Sequence, residues 1–182
     1  MILTKRWRPV LSKFEIRFGW LALVAVAAQL IVIYVGFGGA EELRRFVFPA
    51  SYVLLLAFII LNRRRVGFLV IGAGTLLNFL AIVTNGGLMP ISPANMEKAG
   101  LGDELAELGL GDAVPLSKNV LLEEGDTGLQ WLTDRFTWDF LGPFPVFSIG
   151  DVIIAAGLVV VLVELLLPLI ARAASRDRLS LI

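Results

Sequence analysis

The chain has no cysteine and no histidine among its 182 residues. A large part of enzyme chemistry is excluded by this. No Ser-His-Asp triad, Cys-His pair, CxxC redox motif, Cys/His zinc site or c-type haem attachment can be assembled. No thiol is present for a disulfide or for lipid attachment. Proton transfer is left to Asp, Glu, Lys and Tyr, and a metal site would need oxygen ligands, which suit Mg²⁺ or Ca²⁺. Net charge is also lacking, because 16 Lys and Arg balance 16 Asp and Glu. That zero is a sum of charges kept far apart along the chain.

Apolar residues are what the chain has in excess. They make up 57% of the sequence, and the mean hydropathy is +0.82. Soluble domains of this size carry fewer, and apolar runs of about 20 residues indicate transmembrane helices. Four such runs are predicted, at residues 19–38, 46–62, 66–84 and 147–170. Bases followed by an apolar run at the start imitate a signal sequence, and Ala25-Val26-Ala27 imitates its cleavage site. Too little of the run precedes those alanines, however, and it continues without a polar break, so it reads as the first span. The expected fold is an all-α membrane protein in one domain, 1–182. Its four transmembrane helices carry a small α/β extracytoplasmic insert, 85–146, between helices 3 and 4.

The orientation follows from where the bases lie. Lys5, Arg6, Arg8, Lys13, Arg17, the Arg63-Arg64-Arg65 turn, and Arg172, Arg176 and Arg178 all fall on one side of a four-span chain. Between Asn85 and Phe147 the balance reverses, with ten carboxylates against Lys98, Lys118 and Arg135. Both termini are therefore expected in the cytoplasm of a bacterial cell, with the acidic segment outside the cytoplasmic membrane. Arg44 and Arg45, beside Glu41 and Glu42, are exceptions to the pattern. The basic N-terminus sets topology and meets anionic lipid, so nucleic acid is not an expected partner.

Within the insert, Asn85-Gly86-Gly87 reads as a helix stop. Ser92-Pro93 reads as an N-cap and first helical residue, opening a short helix that Ala99-Gly100 could break. Residues 118–131 read as a hairpin, with arms 119–122 and 129–132 and a turn at Glu124-Gly125-Asp126. Trp131, Phe136, Trp138, Phe140, Phe144 and Phe147 crowd the approach to the last span, as aromatics do at a membrane interface. Gly72-Ala73-Gly74 and Ala155-Ala156-Gly157 are candidate faces for close helix contact.

Asp151 is the first candidate for chemistry, since an acid inside a span suggests function. Ser148-Ile149-Gly150-Asp151 is also a capping box, and capping alone accounts for the acid. Glu164 lies deeper and is expected to snorkel or to bond a neighbour such as Gln29 or Asn62. Asn78 and Asn85, seven apart, share one face of the third span and are binding candidates able to bond across to the fourth. Asp134 and Arg135 are further binding candidates. Asp139 could return to the top of the last span, where it and Asp151 would share a proton and activate water as catalytic acid and base. No cofactor and no resident metal are assigned.

The combination of NGGLMPIS after the third span with FSIGDVIIAAG opening the fourth resembles an uncharacterised family of small bacterial four-span membrane proteins, a domain of unknown function. The resemblance covers essentially the whole chain and implies no assigned activity. A weaker resemblance, confined to the last third, is to the lipoprotein signal peptidase family (signal peptidase II), a four-span aspartyl protease. By position, Asp139-Phe140 matches its DF motif, and Asp151 the acid of its FNxAD motif. Ser148 stands where that family has asparagine and Gly150 where it has alanine. Trp131 occupies the place of an asparagine, and the long insert follows a different span. Two readings of function result. One is a polytopic inner-membrane protein whose acidic extracytoplasmic cap binds a partner protein, a cationic ligand or a divalent ion, with membrane lipid, an extracytoplasmic protein or a lipid-linked molecule as its expected partners. The alternative is an aspartyl membrane hydrolase using Asp139 and Asp151.

Overall fold

A computed structural model describes residues 15–34, 40–138 and 146–179. The chain is mostly helical, with a few short strands. In order it forms α1 (Gly19–Tyr34), α2 (Ala40–Leu61), α3 (Val66–Thr84), β1 (Met89–Ile91), α4 (Pro93–Lys98), α5 (Gly102–Ala106), β2 (Asn119–Leu121), β3 (Phe136–Thr137), β4 (Val146–Phe147) and α6 (Ile149–Leu179). Two 3-10 turns lie at Glu124–Asp126 and Gln130–Leu132.

Among the described residues, three helices are long and apolar enough to cross a membrane, in the stretches Glu42–Leu61, Val66–Thr84 and Ile149–Leu167. α1 is apolar but has 16 residues, shorter than the 19–38 expected, and residues 35–38 of that span lie outside the description. The third helix has the expected bounds. α2 begins at Ala40 rather than 46, because acidic residues favour a first helical turn and the arginines that follow have partners in the insert. Pro49 therefore sits inside the helix and not in its first turn. It has no N–H to offer the Arg45 carbonyl one turn back. That carbonyl lies against Gly87, whose φ of +94° and contact with the Arg45 backbone both exclude a side chain.

α3 is the central helix, packed on α6 and on α2, while α1 covers α2. Small residues set the α3–α6 distance. A Cβ on Gly74 would meet the Gly150 carbonyl oxygen, and a Cβ on Gly157 would come within 2.6 Å of the Ile71 nitrogen. Both expected small-residue faces are thus in use, with Gly150 an added member. Gly72 instead faces Ile59 of α2. At the far end of this contact, Glu164 Oε1 accepts from the Val66 N–H at 3.0 Å, one of the free donors that open α3. The partners expected for Glu164 are engaged elsewhere: Gln29 with Ser51, and Asn62 with Arg17.

The segment between α3 and α6 shares its core with the helices. Leu88, Met89, Val120 and Leu132 are buried with Phe48, Tyr52 and Ile82. A second cluster of Ile91, Met96, Val114 and Leu121 lies within the insert. The expected hairpin does not form. β2 pairs in parallel with β1, Met89 opposite Asn119 and Ile91 opposite Leu121, and the chain crosses between them through α4 and α5, as parallel strands require. Residues 130–132 are a 3-10 turn entered through Leu129 at φ +50°. Burial on the core decides between the pairings. β1 and β2 are buried at every position, whereas Trp131 of the proposed arm is 56% exposed. The other free edge of β1 bonds to Asp134, whose N–H donates to the Pro90 carbonyl at 3.3 Å.

Local capping follows the sequence reading. Ser92 Oγ accepts from the Asn95 N–H with Pro93 in the first turn, and the helix ends at Ala99. Asn85 caps α3, and Gly86 and Gly87 take positive φ.

Candidate functional site

An ion cluster forms where the insert meets the ends of α3 and α6. Lys118, one residue before β2, reaches between two carboxylates. Its Nζ is 3.0 Å from Asp151 Oδ2 and 3.4 Å from Asp134 Oδ1. The Ser148–Asp151 capping box is closed in both directions. The Asp151 N–H donates to Ser148 Oγ at 3.1 Å, and the Ser148 N–H donates to Asp151 Oδ2 at 3.0 Å. Asn78, fully buried on α3, donates from Nδ2 to Asp151 Oδ1 at 2.7 Å and accepts from Ser148 Oγ at 2.8 Å. Asn119 Nδ2 donates to Asp134 Oδ2 at 2.8 Å. Tyr52 of α2 is buried beside Asn78, within electrostatic reach of all three charges.

Charge is unbalanced here: one cation faces two anions. Burial opposes the Lys118 charge, but the Asp134 and Asp151 carboxylates outweigh it and hold the ammonium above the ordinary lysine value. Asp134 is 1% exposed. Burial is the largest influence on it and lifts its pKa above the usual carboxylate value; Lys118 pulls the other way without cancelling that rise. Its Oδ1 accepts no hydrogen bond among the described residues.

Further contacts hold the insert in place. Asn85 Nδ2 donates to the Gly128 carbonyl and Asn85 Oδ1 accepts from the Gly128 N–H, both at 2.8 Å. Arg44 donates to the Val114 and Ser117 carbonyls, and Arg45 to those of Gly86 and Gly111. Three helices, α2, α3 and α6, thus grip one insert.

On the insert itself lies a polar cavity of about 120 Å³. Ser92, Asn95 and Lys98 of the α4 region, Glu124, and Thr133 and Arg135 line it. Thr133 and Arg135 flank Asp134, so one short backbone segment serves both the cavity wall and the ion cluster. Asn95 Nδ2 reaches the Asp134 carbonyl at 3.4 Å.

Of the residues singled out from sequence, Asn78, Asp134 and Asp151 come together, Asn85 holds the Gly128 loop, and Arg135 lines the cavity. Asp139 lies outside the described residues. Lys118, Asn119 and Tyr52 escaped the sequence reading. One signal for Lys118 was available: a lone base just ahead of an apolar strand in a strongly acidic segment. The cavity residues other than Arg135 gave none. Among the described residues no three carboxylates gather as a metal site.

Residues 13–163 match the model of a family of unknown function, DUF5317. The chain belongs to that family. No curated protein and no solved structure matches it.

Proposed function

We propose that the protein is a multi-pass protein of the bacterial cytoplasmic membrane, with both termini inside and the insert outside as a rigid binding module. The observation that carries this reading is the grip on the insert. Lys118, Asn85, Arg44 and Arg45 fix it to the helices, as a surface for recognition must be fixed. In sequence the first apolar run continues to residue 38, which at 1.5 Å per residue amounts to roughly 30 Å and would make a fourth span. The orientation rests on the eleven bases of the termini and the 63–65 turn. Arg44 and Arg45, the exceptions to that rule, are engaged with insert carbonyls.

The hydrolase alternative keeps Asp139 and Asp151 as acid and base. Against it weighs the state of Asp151, whose two oxygens are taken by Lys118, Asn78 and the Ser148 N–H. A general base needs a free lone pair within reach of its proton.

The natural absence of thiols makes the test direct. Gly125→Cys, at a glycine with no neighbour within 4 Å of the added Cβ, and Arg64→Cys are labelled in intact cells with a membrane-impermeant maleimide. Labelling at 125 and protection at 64 are expected, and the opposite pattern refutes the orientation. Cleavage of a lipid-linked substrate by the wild type, lost in Asp151→Asn with folding intact, would establish the hydrolase instead.

A further inference from the structure

We propose that the polar cavity on the insert binds a small carboxylate solute that also carries a hydroxyl or ammonium group, a hydroxy acid or an amino acid. This rests on the reading of the insert as a binding module and names its ligand class. The distribution of charge carries the inference. The insert holds three bases against ten acids. Lys118 is taken by Asp134 and Asp151. Both remaining bases, Lys98 and Arg135, line this one cavity. Neither is in an ion pair among the described residues, and Arg135 lies 6.0 Å from the Phe136 ring centroid. Two cations brought to one cavity, in a segment otherwise dominated by negative charge, are placed to receive an anion.

The rest of the lining narrows the class. Glu124 is the single acid in the wall, so the cavity carries a net charge of +1. A carboxylate balances it better than a phosphate dianion does. Glu124 also supplies an acceptor for a hydroxyl or ammonium on the same molecule. Ser92 and Thr133, both buried, offer hydroxyls, and Asn95 an amide, for the remaining polar atoms. A volume of about 120 Å³ is well below the several hundred that hold drug-sized ligands. It suits a compact metabolite and excludes a lipid chain or a folded peptide.

The site is preformed. Ser92 is fixed as the cap of α4. Thr133 Oγ1 donates to the Gln130 carbonyl at 2.8 Å. The Arg135 N–H donates to the Phe147 carbonyl at 3.3 Å. The cost of ordering on binding then falls mainly on Lys98, Glu124 and Arg135, which are exposed.

The test is isothermal titration of the detergent-purified full chain with D-glycerate, L-serine, inorganic phosphate and glycerol. Saturable binding of glycerate or serine is expected, with phosphate and glycerol at least tenfold weaker. Arg135→Gln and Lys98→Gln are each expected to weaken binding at least tenfold. Glu124→Gln is expected to weaken serine more than glycerate. These side chains are exposed, so unchanged melting temperatures verify the fold of each variant. Failure of both carboxylates to saturate overturns the proposal, as does equal binding of glycerol, or affinity unchanged in Arg135→Gln. Such a failure leaves the maleimide pattern untouched, whereas a reversed pattern with binding intact refutes the orientation and spares the cavity.

Discussion

Replacement of Lys118 by methionine tests the ion cluster most sharply. The substitution keeps the length of the stem and removes the ammonium. Asp134, 1% exposed, is left as a buried carboxylate without its counter-charge. Breaking a buried pair in this way costs about 3–5 kcal/mol. Asp151 also loses a partner, but its side chain keeps 30% exposure and its bonds to Asn78 and the Ser148 N–H, so its own share is small. For a chain of this size each kcal/mol moves the melting temperature by about 2–4 °C, so the midpoint is expected to fall by roughly 6–20 °C. Asp134→Asn should behave very differently. It removes the excess negative charge, leaves Lys118 paired with Asp151, and retains an oxygen for Asn119 to donate to. Its cost is expected to stay below about 1.5 kcal/mol. The assay is thermal unfolding of both variants in one detergent, followed by far-ultraviolet circular dichroism. Equal losses in the two, or a Lys118→Met protein as stable as wild type, would falsify the account of a lysine holding two acids.

The same cluster makes stability depend on pH in two windows. Lys118 is raised in the folded state, so its contribution is complete below its ordinary value of 10.5 and is lost as pH climbs through the higher folded value. Unfolding midpoints should drop above pH 10.5 in wild type and less so in Lys118→Met. Asp134 is also raised, and here the sign reverses. The folded protein binds the proton more tightly, so stability falls as pH rises from the ordinary 3.8 through the folded value. Melts taken upward from pH 4 should show that slope in wild type and its loss in Asp134→Asn. At the helix contact, Gly150→Ala places a methyl against Asn78 and the Gly74 carbonyl. A loss of about 1–3 kcal/mol is expected from overpacking, read by the same melts; a neutral outcome would show that α3 and α6 can separate freely.

Features set by a few adjacent residues were legible in the sequence. Ser92-Pro93, Asn85-Gly86-Gly87 and the Ser148–Asp151 box each carry their own backbone partners within a turn, so type and spacing suffice. Gly74 and Gly157 were legible because only small residues allow such an approach. The pairing of β1 with β2 was not. Its partners are 30 residues apart, and the nearer alternative, 119–122 with 129–132, has alternation of similar quality until burial on Phe48 and Ile82 discriminates. Lys118 was hidden for a related reason, since its two acids come from separate elements that only the parallel pairing and the start of α6 bring together. Glu164 was assigned the wrong partner because a free backbone N–H at Val66 leaves no mark in side-chain pattern. The length of α2 was misjudged because its polar first turns resemble a loop until their arginines find carbonyls across the insert.

The grip that α6 exerts on the insert also bears on the order in which the molecule is made. Chains emerge N-terminus first, so α1, α2, α3 and the insert all precede Ser148 and Asp151. Until those two residues arrive, Asn78 lacks its bonds to Ser148 and Asp151, and Lys118 is paired with Asp134 alone of its two acids. The insert can gather its apolar residues on Phe48, Tyr52 and Ile82 beforehand, but the bonds of Asn78 and Lys118 to Ser148 and Asp151 close only with α6. α6 thus acts as a latch, and a chain truncated before residue 148 keeps the Asn85, Arg44 and Arg45 contacts but lacks the Ser148 and Asp151 side of the seam.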